Sequence, residues 1–356
     1  MNSTIPIIIP AYEPDERLLQ LLEELRQADL NNIIIVNDGS SEKYENIFSE
    51  ASSLIAPDGK LIEYSENQGK GYALKKAFKY VLENLPDVKG VVTADSDGQH
   101  TVECIKKIMN ALQANPENLV LGVRQFSGDD IPWKSKFGNN LTIKVFQLAT
   151  GVRVTDTQTG LRGIARPLMS ECLAIKENRF EFEMKMLIDG VAKYSVTEVP
   201  IETVYESKTN HQTHFNPLKD SYRIYKILLG QGIKFILSSL SSSIIDLGLF
   251  SVFCMIFKPR LLAYVAVSTI LARIISSIYN YSMNFKFVFR SDENVGKAAA
   301  KYFTLVIIQM SASALLVTIG TKLIAIVPEV LIKVIVDTCL FVASYFIQKN
   351  IVFHKK

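Results

Sequence analysis

The chain has 356 residues, 48% hydrophobic and 21% charged, with 39 basic and 36 acidic side chains. That composition excludes a disordered or fibrous chain and leaves room for two domains. The net charge of +3 hides a division, because from residue 231 onward 13 basic residues face 5 acidic ones in an apolar stretch, while the preceding part is net negative. Basic residues flanking apolar segments orient a chain in a membrane, so no nucleic-acid partner is expected. Cys104, Cys172, Cys254 and Cys339 form no CxxC or Cys/His cluster, which suggests neither a zinc site nor a disulfide framework. The segment Met1–Ile9 has no basic start and a short apolar run broken by Pro6, so it does not read as a signal peptide. The front half is expected to stay on the side of the membrane where it is made.

In chain order, Ile7–Ile9 reads as a buried strand, Asp15–Ala28 as a helix with Leu18, Leu21, Leu22 and Leu25 on one face, and Asn32–Val36 as a second strand. A Gly69-Lys70-Gly71 turn opens a helix over Tyr72–Leu82, followed by a strand at Gly90–Ala94, a helix at Val102–Leu112 and a strand at Leu119–Val123. This alternation implies an α/β, doubly wound, mostly parallel sheet whose ligands gather at the carboxyl ends of its strands. Three such ends are polar: Pro10-Ala11-Tyr12-Glu13, Asp38 after Val36-Asn37, and Asp95-Ser96-Asp97-Gly98-Gln99-His100. Two carboxylates on one turn suit a hard divalent cation that also binds phosphate oxygens.

Pro10-Ala11-Tyr12, Val36–Ser40, Glu66–Leu74, Ala94–Gln99 and Asp156–Arg162 resemble, as an ordered series, the family 2 glycosyltransferases over roughly residues 5–215. Within that family the similarity is to the dolichol-phosphate mannose synthase and bactoprenol glucosyltransferase branch. The resemblance implies a GT-A fold and transfer of a sugar from a UDP- or GDP-linked donor to a polyprenyl phosphate such as undecaprenyl phosphate. It assigns Pro10, Tyr12, Glu13, Val36 and Asp38 to the nucleotide pocket, and Asp95, Asp97 and Gln99 to Mg²⁺ or Mn²⁺, with Ser96 beside the donor. Arg124 and Lys208 fall where donor-phosphate contacts are implied. Lys136, Arg162 and His214 fall on the acceptor side. Asp97, Arg124, Arg162 and Glu183 form the implied catalytic set.

The match has departures. Glu13 and Pro14 stand where relatives often carry Asn-Glu, and Trp133-Lys134-Ser135-Lys136 offers lysines where some carry an acceptor arginine. Lysine binds phosphate without the bidentate fork of arginine. No QxxRW motif occurs, since Trp133 is the sole tryptophan, which points to one sugar per turnover. A phosphate acceptor is already anionic and attacks the anomeric carbon without a strong base, so inversion is expected. Glu181 and Glu183 have two readings, orientation of the acceptor or pairing with Arg179 or Lys185.

Two amphipathic stretches, Trp133–Leu148 and Leu218–Leu229, read as interfacial helices or as ordinary packing helices. Four spans are expected at about 235–257, 261–285, 302–321 and 330–348, giving an all-α, four-helix transmembrane bundle at 229–356 after a catalytic domain at 1–228. Basic residues outnumber their counterparts at the ends on the catalytic side, which predicts a multi-pass cell-membrane protein with a cytoplasmic catalytic domain. Lys234–Gly248, Ala272–Tyr281 and Ser344–Lys349 resemble the GtrA-like family, which implies assistance to glycolipid translocation. Asp246 and Arg273 are intramembrane candidates, either partners of each other or contacts for a lipid phosphate. The competing reading is a flippase or scaffold whose front domain only binds donor or lipid. Oligomeric state is open, a homo-oligomer included.

Overall fold

The computed structural model describes residues 5–124, 133–202, 217–258, 264–323 and 329–353. The chain divides into two compact units, Met1–Leu228 and Leu229–Lys356. In the first, β1 (Ile7–Ala11), β2 (Ile33–Asp38), β3 (Lys60–Tyr64), β4 (Gly90–Thr93), β5 (Leu119–Arg124), β6 (Arg162–Ala165) and β7 (Val196–Ile201) form one sheet in the order β3-β2-β1-β4-β6-β5-β7. β6 runs antiparallel to β4 and β5, and the other pairs are parallel. This is the expected mostly parallel GT-A sheet with one reversed strand.

Among the described residues, seven α-helices lie between the strands: α1 (Glu16–Gln27), α2 (Glu45–Ile55), α3 (Lys70–Asn84), α4 (Val102–Ala114), α5 (Trp133–Thr150), α6 (Arg166–Cys172) and α7 (Glu181–Lys193). Strand alternation divides the core between the two sheet faces. Ile7, Ile9, Ile33 and Ile35 pack with the apolar stripes of α1, α2 and α4, while Ile8, Ile34 and Val36 pack with those of α3, α6 and α7. The central strands are therefore continuous Ile/Val runs, as burial on both faces requires. Asp15 caps α1, accepting the Arg17 N–H at 3.0 Å, an interaction worth about 1 kcal/mol.

β1 leads to β2 and β3 on one side, and β4 begins the other. The chain reverses its strand order between β1 and β4, and a doubly wound sheet opens its ligand crevice at such a reversal. The loops after β1, β2 and β4 meet there.

The α5 row Trp133, Phe137, Leu141, Val145, Leu148 divides, among its described side chains, between core and surface. Phe146 and Thr142 are buried and Val145 packs on the core, whereas Leu141 and Leu148 are exposed. The side chains of residues 133–139 lie outside the described set. In the second stretch, Ile224 and Leu228 are buried and Tyr225 packs beside them, its hydroxyl 3.1 Å from Thr142 Oγ1, while Tyr222 and Leu229 are exposed.

The helices reaching into or forming the second unit are α8 (Pro217–Phe257), α9 (Tyr264–Met283), α10 (Val295–Leu323) and α11 (Glu329–Ile347); single π-helical turns at Asn284–Val288 and Gln348–Val352 follow α9 and α11. Among the described residues, three segments are long and apolar enough to cross a membrane: Ser221–Phe257, Val295–Gly320 and Val334–Val352. The expected span at 261–285 is the helix α9, which is less apolar because it carries Arg273 and the polar row Ser276, Ser277 and Asn280. Large apolar side chains such as Ile244, Leu247, Met255, Ile307 and Leu315 are exposed on these helices, a surface suited to lipid rather than water.

Candidate active site

The loop after β2 is built around Asp38, which is only 2% exposed. Its carboxylate accepts the Tyr64 hydroxyl at 2.7 Å, the Asn67 side-chain amide at 3.1 Å, and the backbone N–H groups of Gln68 and Gly69, both at 2.9 Å. An ionised carboxylate offers about four acceptor sites, and protein donors fill them. Asp38 thus clamps the end of β2 to the turn that opens α3, where Gly69 takes φ +101°. The carboxylate is held inside the protein and shapes the crevice through its loop. Burial and the hydrogen bond to Asp38 raise the Tyr64 phenol above its ordinary value. Asp38→Asn turns an NH₂ toward donors and is expected to cost about 2 kcal/mol. Thermal melting should show it as a midpoint lowered by about 5 °C; an unchanged midpoint would contradict the clamp.

Beside it, the Glu13 N–H donates to Ser40 Oγ at 2.8 Å, with Glu13 itself at φ +47°. Burial and the neighbouring Glu13 raise the Tyr12 phenol. Pro10 and Val36 are buried partners in the β1–β2 register.

The turn after β4 carries the two aspartates. His100 is buried, and its Nδ1 accepts the Asp95 N–H at 3.2 Å, which places the ring proton on Nε2. Burial lowers the pKa of His100. The Gln99 N–H donates to Asp97 Oδ1 at 3.1 Å, closing the turn, and Ser96 is half-buried within it. Lys70, the first residue of α3, places Nζ 2.6 Å from Asp95 Oδ1 and 3.0 Å from Glu183 Oε2. Burial opposes the Lys70 charge, but the two carboxylates outweigh it and raise its pKa. Burial likewise opposes the Asp95 charge, and the Lys70 ammonium overcomes it, holding that carboxyl at about 2. Asp97 is pushed up by burial and by the charge of Asp95.

Space for the Asp95 carboxylate comes from Gly160, where a Cβ would collide with its Oδ2. The Gly160 carbonyl accepts the Thr93 hydroxyl at 2.8 Å, which fixes that approach. Arg124, at the end of β5, makes a bidentate pair with the fully buried Asp156, with Nε to Oδ2 at 2.7 Å and Nη2 to Oδ1 at 3.0 Å.

Arg162 is 1% exposed, and its guanidinium donates to the carbonyls of Thr159 at 2.8 Å, Glu183 at 2.8 Å and Thr157 at 3.4 Å. Every arm of the fork is turned to backbone, and the residue holds the 157–159 loop against α7. Of the two readings for Glu183, pairing with Arg179 or Lys185 gives way to pairing with Lys70, and Lys185 bonds to Asp189 instead. Glu181 Oε2 is buried without a hydrogen-bond partner. Lys136 is among the α5 residues whose side chains are not described, and Lys208 and His214 lie outside the described residues.

The structure therefore brings Asp95, Asp97, Glu183, Lys70 and the Arg124–Asp156 pair to the same end of the sheet. Lys70, Asp156, His100 and Gly160 had no role assigned from the sequence, although Lys70, Asp156 and Gly160 stand inside blocks that carried the resemblance and His100 directly follows one. Among the described residues no three His, Cys, Asp or Glu side chains converge to cage a metal ion. Two carboxylates with an amide residue, beside an ammonium already drawn to one of them, fit a hard dication that takes its remaining ligands from phosphate and water.

The first unit matches the family model for glycosyl transferase family 2 over residues 7–171, and the model for the GtrA/DPMS transmembrane domain matches residues 227–353. A UDP-N-acetylglucosamine–dolichyl-phosphate N-acetylglucosaminyltransferase of Methanococcus voltae is 30% identical over 223 residues, covering 57% of this chain and 87% of that protein. An uncharacterized protein of Methanocaldococcus jannaschii is 26% identical over 206 residues, covering 56% of this chain and 81% of its own length. An undecaprenyl-phosphate 4-deoxy-4-formamido-L-arabinose transferase of Pseudomonas fluorescens is 23% identical over 220 residues, covering 60% of this chain and 61% of that one. The chain thus belongs to glycosyl transferase family 2, as a glycosyltransferase that carries a GtrA/DPMS transmembrane domain behind its GT-A unit.

Proposed function

We propose that this enzyme moves one sugar, with inversion, from a UDP- or GDP-linked donor to a polyprenyl phosphate, undecaprenyl phosphate being the acceptor to try first. The observation that carries the reading is the Asp95–Asp97 turn at the switch point between β1 and β4, with Lys70 joining Asp95 to Glu183. Relatives named for dolichyl-phosphate and undecaprenyl-phosphate transfer support the acceptor class.

In this reading Asp95, Asp97 and Gln99 hold Mg²⁺ or Mn²⁺, whose charge would neutralise the departing diphosphate. Tyr12, Glu13 and Ser96 line the nucleotide side, with Asp38 shaping it from beneath. Arg124, set by Asp156, serves the donor phosphates together with Lys208, while Lys136 and His214 serve the acceptor phosphate. Glu183 orients the acceptor, and Arg162 keeps Glu183 in place. An attacking phosphate oxygen needs no proton removed, so positioning and charge neutralisation supply the rate. The membrane unit anchors the catalytic unit at the cytoplasmic face and assists movement of the product lipid.

Purified enzyme with an α-linked nucleotide sugar and a polyprenyl phosphate is expected to give a β-linked sugar phosphate by NMR. An α-linked product would contradict direct in-line displacement. Deleting residues 231–356 should reduce vesicle translocation of that product beyond the effect of lost anchoring; no such reduction would remove the translocation role.

A further inference from the structure

We propose that Lys70 is a positioning residue that couples the donor and acceptor sides of the site. The inference rests on the reading above, in which Asp95 serves the donor and Glu183 the acceptor. Two fastenings bring the parts together. The Tyr72 N–H donates to the Asn178 carbonyl at 2.9 Å, and Gly69 and Gly71 lie so close to Asn178, Arg179 and Phe182 that a Cβ at either would collide. These contacts bind the start of α3 to the start of α7. Arg162 then holds the Glu183 backbone carbonyl at 2.8 Å, while Lys70 holds its carboxylate at 3.0 Å.

The Lys70 side chain is 18% exposed and that of Glu183 12%, so the bridge is largely withdrawn from water and is stronger than a surface ion pair. Without the ammonium, two anions would face one another and spread apart. Lys70 also holds Asp95 Oδ1, one of the two carboxylate oxygens open to a dication. Its removal should therefore strengthen free Mn²⁺ binding while slowing transfer, the opposite of what a simple diphosphate-binding lysine would show.

In the full-length enzyme, Lys70→Met is expected to lower kcat at least about 50-fold with KM for the nucleotide sugar within about threefold. Lys70→Arg, which still bridges two carboxylates, should recover at least about a tenth of the wild-type rate. Glu183→Gln should cost at least about tenfold alone and under about twofold on the Lys70→Met background. Calorimetry with Mn²⁺ alone should show Lys70→Met binding about threefold or more tighter. Additive rate effects, or weakened nucleotide diphosphate binding with kcat unchanged, would overturn the coupling. If the wild-type enzyme gives no product with any donor, the transfer reading fails; the Mn²⁺ titration then still decides, since unchanged or weaker binding by Lys70→Met removes the proposal too.

A separate observation concerns the second unit by itself. We infer that it is a tandem duplication of one two-helix element, α8–α9 and α10–α11, pinned at a shared amide pair. Each half ends in a π-helical turn that opens on an amide and closes on Val-Phe: Asn284 to Val288-Phe289, and Gln348 to Val352-Phe353. The contacts repeat when the halves are exchanged. Phe235 on α8 lies 5.3 Å from Tyr345 and 6.0 Å from Phe289, and its counterpart Tyr302 on α10 lies 5.5 Å from Tyr281 and 6.2 Å from Phe353. Ser242 Oγ donates to the Ser276 carbonyl at 2.9 Å, and Gln309 Nε2, at the matching place, donates to the Leu340 carbonyl at 3.0 Å. Where the halves meet, Asn284 Nδ2 donates to Gln348 Oε1 at 2.9 Å, and Phe289 stacks on Phe353 at 5.2 Å.

The same correspondence sets the Asp246–Arg273 pair, at 3.3 Å, against Ser313–Asp337, at 2.5 Å. A polar clasp at that position is thus a property of both halves, and Asp246–Arg273 is assigned to holding α8 on α9. Asn284→Gln or Gln348→Asn alone should lower the melting midpoint of the full-length enzyme in detergent by at least about 5 °C. The exchange variant carrying both should return to within about 2 °C of wild type. A double variant no better than its worse parent would overturn the shared pin.

Discussion

Asp97→Ala should lower sugar transfer by at least about a thousandfold while leaving the melting midpoint within about 2 °C of wild type. The separation follows from the unequal duties of the two aspartates. Within the turn, Asp97 accepts the Gln99 N–H, and burial with the nearby Asp95 charge works against its ionisation, so the fold loses little with its carboxylate. Asp95 is different because it is the direct partner of Lys70 at 2.6 Å. Asp95→Ala should therefore lose activity and also about 2 kcal/mol of stability, through the partly buried ammonium left beside Glu183. Steady-state rates and melting curves on the two variants check this; equal loss of stability would contradict the division of labour.

Gly160→Ala should be nearly as damaging, although it changes no charged group. The added methyl would enter the space of Asp95 Oδ2, and the loop cannot retreat easily while the Gly160 carbonyl holds the Thr93 hydroxyl at 2.8 Å. The carboxylate is the more mobile of the two and would turn away from the site. Mn²⁺ affinity is then expected to fall at least about tenfold and transfer at least about a hundredfold, with a midpoint shift of about 5 °C or less. Calorimetric titration with Mn²⁺ and a rate assay check both, and unchanged Mn²⁺ affinity would show that Asp95 has room to spare.

The central strands were legible because burial on both faces writes them as Ile/Val runs, as in Ile7–Ile9 and Ile33–Val36. β3 and β7 lie at the sheet edges, and their half-exposed KLIEY and VTEVPI sequences lack that mark. β6 is four residues that include Arg162 and Gly163, so neither length nor composition announces a strand. On α5, Leu141 and Leu148 are exposed while Thr142 goes inward, so spacing alone could not separate its surface row from its buried face.

At the site, the acidic turn was legible from the chain alone. The partners were not, because they arrive from far along it: Lys70 joins Asp95 to Glu183, and Arg124 joins Asp156. Asp38 and Arg162 have internal partners that the motif alone does not name. Both stand in the blocks that mark the family, yet both spend their hydrogen bonds inside the protein.

The most direct measurement of the account is mass spectrometry of the lipid fraction after purified enzyme is incubated with undecaprenyl phosphate, Mg²⁺ or Mn²⁺, and a panel of UDP- and GDP-sugars. A single-sugar undecaprenyl phosphate is expected from one donor, lost on chelation of the metal and lost in Asp97→Ala. Measurable binding of undecaprenyl phosphate with no glycolipid from any donor would contradict it and favour a lipid-handling role without transfer.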